Sequence, residues 1–250
     1  DLYSERADNY MVLEDFNNAL IDYSKAIEIA ENKAEYYRYR GDFYFDDLED
    51  IDKGLQDYEM AISLDPDNIS PLINKGVLLI DLNRFDDAME LFDRAIKIDS
   101  TEYLGYLNKA DVFYELEKYQ QAIKTLSRGI KNTPNEPDLY SQRASNYMVL
   151  EDFNNALTDY TKAIEIAENK AEYYTLRGDF YFDDLEDIDK GLQDYDMAIS
   201  LEPNNLLSLI MLGISLIDLE RYDEAMELFD RAIKIDSTEY FVYSNMAIIY

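Results

Sequence analysis

Small residues recur along this chain at a fixed interval. Ala7, Gly41, Gly76, Ala110, Ala144, Gly178, Gly213 and Ala247 lie 34 or 35 residues apart, and Ala19, Gly54, Ala88, Ala122, Ala156, Gly191 and Ala225 keep the same beat. A period in this range belongs to stacked supersecondary units, each too small to bury its own apolar faces. A longer repeat contains the short one. Tyr3 to Ile62 aligned with Tyr140 to Ile199, an offset of 137 residues, differs at seven of 60 positions: Glu5/Gln142, Asp8/Ser145, Ile21/Thr158, Ser24/Thr161, Arg38/Thr175, Tyr39/Leu176 and Glu59/Asp196. The match weakens but persists through Glu102 and Glu239, so residues 3–102 are duplicated as 140–239.

Each unit has the pattern of a helix pair. Tyr3, Ala7 and Tyr10 fall at helical intervals in the first half, and Phe16, Ala19, Leu20, Tyr23, Ala26 and Ile27 form a broad apolar stripe in the second. Small residues at the crossing let two helices approach while the neighbouring ring fills the space beside them. DPDN at 65–68, TPNEP at 133–137 and EPNN at 202–205 place proline and turn formers after the second helix. The chain therefore reads as all-α, residues 1–250 forming a single solenoid of antiparallel helix pairs: seven units and the first part of an eighth, whose apolar YFVYSNMAIIY is expected to be uncapped at Tyr250.

This pattern resembles the tetratricopeptide repeat family over essentially the whole chain. The family's small positions fall on Ala7, Ala19 and Ala26, on Gly76, Ala88 and Ala95, and on their equivalents, and its helix-ending proline falls on Pro66, Pro134 and Pro203. Departures are local: Glu31, Ser100, Glu168 and Ser237 stand at the proline position, and Tyr3, Tyr37, Leu72 and Tyr106 replace the usual tryptophan. The resemblance implies a right-handed superhelix whose first helices line a concave groove.

Carried onto the matching positions, that groove is expected to hold Asp1, Asp8 and Met11 in the first unit, Arg38, Asp42 and Phe45 in the second, Ile73, Val77 and Ile80 in the third, and Leu107, Asp111 and Tyr114 in the fourth. The second block adds Ser145, Met148, Thr175, Asp179, Phe182, Ile210, Ile214 and Ile217. Acidic and apolar positions alternate, which suits a protein or peptide carrying basic and apolar side chains. The family's carboxylate clamp is not matched, because its Lys and Asn places hold Ser4, Arg38, Ile73 and Leu107, then Asp8, Asp42, Val77 and Asp111.

Composition narrows the function classes further. Lys and Arg total 23 against 54 Asp and Glu, a net charge of -31 with a pI near 4.1, which repels nucleic acid and anionic membrane surfaces. Apolar runs such as Gly76 to Ile80 are far below the roughly 18 residues of a membrane span, so direct membrane insertion is not expected. With no His and no Cys in the sequence, a Ser-His-Asp triad, a Cys-His pair and an HExxH or cysteine zinc site are excluded within this chain, and no phosphate-binding GxxxxGK[ST] loop occurs. No cofactor, metal or catalytic residue is expected. The acid-rich YFDDLEDIDKG, 44–54 and again 181–191, fits no EF-hand frame: starting at Asp46 puts Ile51 at the glycine position, and starting at Asp50 puts Ala61 at the glutamate position. Gly41 to Gly54 spans 13 steps where Ala7 to Ala19 and Gly76 to Ala88 span 12, so this stretch reads as an enlarged turn with its extra residue within Asp46 to Asp50.

Of the 23 Tyr, Tyr3, Tyr10, Tyr23 and Tyr58 occupy packing positions, whereas Tyr36, Tyr103 and Tyr173 near unit starts are expected to be more exposed. The functional expectation is a protein-interaction scaffold or adaptor. The alternatives are a repeat array that self-associates end to end, and a regulatory segment of a larger enzyme or membrane-associated protein.

Overall fold

The computed structural model describes residues 2–30, 32–238 and 240–249. Asp1, Glu31, Glu239 and Tyr250, which enter the groove, the proline position, the block alignment and the last helix above, lie outside the described residues. Among the described residues the chain is all-α. Its helices alternate as first and second members of pairs: α1 (Leu2–Val12) with α2 (Phe16–Ile29), α3 (Ala34–Asp46) with α4 (Ile51–Leu64), α5 (Ile69–Asp81) with α6 (Phe85–Ile98), and α7 (Tyr103–Glu115) with α8 (Tyr119–Asn132). There follow α9 (Pro137–Val149) with α10 (Phe153–Ile166), α11 (Ala171–Asp179) with α12 (Ile188–Leu201), α13 (Leu206–Asp218) with α14 (Tyr222–Ile235), and α15 (Tyr240–Ile249). They form two compact units, Asp1–Thr133 and Pro134–Tyr250, each holding one copy of the duplicated block.

Local chemistry sets the helix ends. Asp15, Asp50, Asp152 and Asp187 each accept the backbone N–H three residues on, in the first turn of the helix that follows; Asn205 does the same for α13, and Asn68 accepts from Ser70 N, two residues on, for α5. At every corner inside a pair one residue adopts positive φ: Glu14, Glu49, Asn83, Glu117, Glu151, Glu186 and Glu220. Its successor then donates back into the first helix, as in Arg84 N to Leu79 O at 2.8 Å and Asp152 N to Tyr147 O at 2.9 Å. These bonds reach five residues back.

The enlarged corners keep this turn and change the helix before it. Asp50 N bonds Tyr44 O and Asp187 N bonds Tyr181 O, six residues back instead of five, while Leu48 N and Leu185 N reach Phe43 O and Phe180 O. In the second copy the last turn is π-helical, Phe180–Asp184. The extra residue therefore widens the end of the first helix by one hydrogen-bond step, and the positive-φ residue and capping Asp follow unchanged.

Packing follows the two small-residue series. Ala7 and Ala19 are sealed with Tyr23 and Phe43 in the first unit, and Ala144 and Ala156 with Tyr160 and Phe180 in the second. Each ring that follows a pair thus completes the core of that pair, which is why no pair is independent. Tyr36 (2% exposed) and Tyr173 (0%) correct the expectation of exposure: Tyr36 packs on Ala26 and Ile27, and the Tyr173 hydroxyl donates to Asp138. Both are the third residue of a first helix, on the side turned to the preceding pair.

Four bidentate ion pairs clamp first helix to second: Arg6 to Asp22, Arg40 to Asp57, Arg143 to Asp159 and Arg177 to Asp194, with N···O distances of 2.5–2.9 Å. All four aspartates are buried. Such a fork fixes both the depth and the rotation of one helix against the other.

Candidate interaction face

Within each unit the first helices touch one another, α3 with α5, α5 with α7, α11 with α13, and α13 with α15. Second helices pack on the next first helix, as α4 does on α5 and α6 on α7. First helices therefore form the continuous side of each stack, and their outward residues are the candidate site.

The structure brings most of the expected residues onto this side. Asp8 and Tyr114 are exposed, while Met11, Arg38, Asp42, Phe45, Val77, Ile80, Leu107, Asp111, Ser145, Met148, Asp179, Phe182, Ile214 and Ile217 are half-buried. Three are not available at the surface. Ile73 (5% exposed) and Ile210 (8%) pack into the cores of their units, and Thr175 (0%) turns inward to donate to Ala171 O and share a 2.7 Å hydrogen bond with Ser208. A short β-branched side chain at this place cannot reach past its own helix, whereas the long Arg38 of the first copy does.

A ladder of hydroxyl and carboxylate groups ties this side to the second helices. Tyr23 donates to Asp8 at 2.6 Å, Tyr58 to Asp42 at 2.9 Å and Tyr195 to Asp179 at 2.6 Å, and the Tyr160 hydroxyl lies 3.1 Å from Ser145 Oγ. Where the second helix carries Phe92 or Phe229, the first carries Val77 or Ile214. Leu126 with Asp111 is the exception, a carboxylate whose second-helix counterpart brings no hydroxyl. Sequence reasoning named the Asp residues but missed their partners. The signal was present in the covariation among the repeats: tyrosine accompanies Asp or Ser, and phenylalanine accompanies Val or Ile.

Electrostatically, the side is strained toward accepting positive charge. Burial and then Glu115 raise Asp111 to about 6, and burial outweighs the Tyr195 hydrogen bond to raise Asp179 to about 6, with Asp183 adding to it. Asp46 is raised by burial and by Asp42 and Asp47, and Asp183 by burial and by Asp218. The tyrosines are pushed up as well, Tyr23, Tyr58 and Tyr195 by burial first and then by the carboxylates they serve. Carboxylates held away from water beside other carboxylates gain from any cation that approaches. Partly buried apolar side chains lie on the first helices that touch theirs: Val77 and Ile80 on α5, Ile214 and Ile217 on α13. Among the described residues no group of three or more acids gathers as a metal site, and no helix is long and apolar enough to cross a membrane.

Sequence profiles described as Tetratricopeptide repeat match residues 73–137, residues 207–239, and residues 1–33, 137–170 and 171–205, covering most of the chain. Among solved structures, a tetratricopeptide repeat protein from Parabacteroides merdae superposes with a TM-score of 0.74 at 12% identity, over 99% of this chain and 97% of that one. Yeast Tom70 gives 0.77 at 22% identity over 94% of this chain and 51% of its own. The hetero-tetramer Cut9-Hcn1 of the APC/C gives 0.68 at 14% identity over 100% of this chain and 49% of that one, so this chain spans about half the length of the last two. At such identities the likeness establishes the fold alone, and with 411 matching chains the fold selects no partner. Comparison with curated proteins returns no match.

Proposed function

Because the chain belongs to the tetratricopeptide repeat family, whose stacked pairs generally bind proteins and peptides, we propose that it is an interaction scaffold whose first-helix side holds a segment carrying basic and apolar side chains. One observation carries this reading. The carboxylates on that side, Asp46, Asp111, Asp179 and Asp183, are all raised above their usual range, with half-buried Val and Ile residues beside them. A cationic side chain restores the charged form of these groups while its neighbours cover the aliphatic residues. The Cut9-Hcn1 complex supports the general mode, since a chain of this fold there assembles with another protein.

Asp46, Asp81 and Glu115 are exposed ends of the same side and can be reversed without disturbing the core. Asp46→Lys, Asp81→Lys and Glu115→Lys together are expected to weaken binding of a peptide rich in arginine and leucine, measured by fluorescence anisotropy. Wild-type binding is expected to weaken steeply between 50 and 200 mM salt, as charge-steered association does. Equal affinity of the wild type and the triple variant would sink the proposal.

A further inference from the structure

The two copies of the duplicated block treat the same carboxylate differently, and this difference locates a subsite. In the first copy Asp42 has three partners: Arg38 Nη1 donates to Oδ2 at 2.5 Å, and Tyr58 Oη and Asn74 Nδ2 donate to Oδ1 at 2.9 and 2.7 Å. The Arg38 guanidinium also stacks on Tyr39, 4.3 Å from the ring centroid. In the second copy Asp42, Tyr58 and their surroundings recur as Asp179 and Tyr195, but Arg38, Tyr39 and Asn74 become Thr175, Leu176 and Met211. Cation, stacking ring and amide are exchanged together. Asp179 keeps only the Tyr195 bond, on Oδ1; its Oδ2 accepts nothing among the described residues and is not sealed from solvent.

Resting on the scaffold reading above, we infer that the second unit binds an arginine side chain of its partner at Asp179 Oδ2, in the place that Arg38 fills from within the first unit. The internal copy shows that this backbone geometry accommodates a guanidinium against the Asp, so the inference does not depend on acidic clustering alone. Chemistry around Asp179 fits a guanidinium better than an ammonium. The planar, weakly hydrated head can bond the free oxygen edge-on, and its stem can lie on Leu176 and Met211, both partly buried apolar residues. Further charge comes from Asp183, with Asp218 behind it, which together attract the approaching cation. In the first unit the Arg38 side chain already neutralises the equivalent carboxylate. The duplication thereby yields one self-satisfied and one receptive version of the same surface.

The test uses the whole chain and two fluorescein-labelled probes: a twelve-residue peptide of alternating arginine and leucine, and its counterpart with citrulline for arginine. Wild type is expected to bind the arginine peptide at least tenfold more tightly, the scale of one charge-assisted hydrogen bond. Thr175→Arg with Leu176→Tyr rebuilds the first-copy arrangement and should weaken that binding about tenfold. Arg38→Thr with Tyr39→Leu opens the first copy and should raise the binding stoichiometry. If the first variant fails to fold, the second decides alone. Methylguanidinium, titrated while the amide resonances of Asp179 and Tyr195 are followed, reads the subsite directly. Arginine-peptide binding that neither variant alters overturns the subsite and leaves the scaffold reading standing. Absence of both peptide binding and a methylguanidinium shift overturns both.

Discussion

Gly76→Ala measures how closely two helices of a pair approach. A Cβ at residue 76 would lie 2.4 Å from Phe92 Cε1, 2.7 Å from Cζ and 3.1 Å from Cδ1, whereas carbon atoms prefer about 3.5–4.0 Å. The ring must retreat by about 1 Å, and Phe92 is fully buried. Overpacking of this kind costs about 1–3 kcal/mol, and the upper end applies to a sealed ring. Alanine's helix propensity returns about 1 kcal/mol, so the net loss is about 2 kcal/mol. Gly41→Ala, facing Tyr58 at 2.9 Å, should come out near neutral. The fourth pair supplies the rescue, because there Ala110 stands with Leu126, both fully buried. Phe92→Leu alone should cost about 1 kcal/mol by leaving a gap, yet added to Gly76→Ala it should restore part of the loss. Guanidinium chloride titrations followed by circular dichroism, with hydrogen exchange of α5 and α6 as the local readout, give all four corners of the cycle. Additive losses, with no coupling of about 1 kcal/mol or more, would refute the packing account.

Asp159→Ala should destabilise by about 3 kcal/mol, since it leaves the Arg143 guanidinium half-buried without its carboxylate; a chemical-denaturation loss below about 1 kcal/mol would assign the fork no structural role. Asp111→Asn should flatten the pH dependence of stability between about 4 and 6. With its folded pKa raised to about 6 against about 3.9 unfolded, the wild type loses roughly 3 kcal/mol as pH climbs through that window and nothing more above it. Thermal melts at pH 4, 5, 6 and 7 should therefore converge for the two proteins at the acid end and favour Asp111→Asn at pH 7. At the α7–α8 corner, Glu117 has φ of 55°, a region that asparagine tolerates better. Glu117→Asn should raise the melting temperature slightly, by about 0.5 kcal/mol of stability, and Glu117→Val should lower it by more.

Helix pairs, their spacing and the position of the enlarged corner were legible in the sequence because each depends on counting. An inserted residue shifts every later small residue by one, and Gly54 and Gly191 carry that shift. Which hydrogen bond lengthens is not a matter of counting: the step from five to six residues at Asp50 and Asp187 requires the backbone. Side-chain direction failed for a related reason. Tyr36, Tyr173, Ile73 and Ile210 occupy first-helix positions whose exposure depends on the preceding pair, and that pair's angle is not written in one unit. The Arg–Asp forks could have been found. Arg precedes the small residue in the first, second, fifth and sixth units, which also have Asp before the second-helix Tyr, whereas the third and seventh units carry Lys75 with Leu91 and Leu212 with Leu228.

A final consequence concerns the spacing of the partner's side chains. In the second unit Asp179 on α11 is followed, one layer further along the stack, by Ile214 on the touching helix α13. Touching helices lie about 8–10 Å apart. An extended segment advances about 3.3 Å per residue, so it crosses one layer in about three residues; a helix rising 1.5 Å per residue needs about six. An extended partner alternates its faces, so an arginine at Asp179 and a leucine over Ile214 should stand two residues apart there, and six or seven apart in a helical partner. Peptides with one arginine and one leucine at separations from one to eight, bound to the whole chain, distinguish the two. A maximum at two assigns an extended strand along the first helices, since strand side chains share a face at every second residue, and a maximum at seven assigns a helix, since seven residues return both side chains to one face. Affinity independent of separation would mean that the carboxylate and the aliphatic residues are not read by one segment.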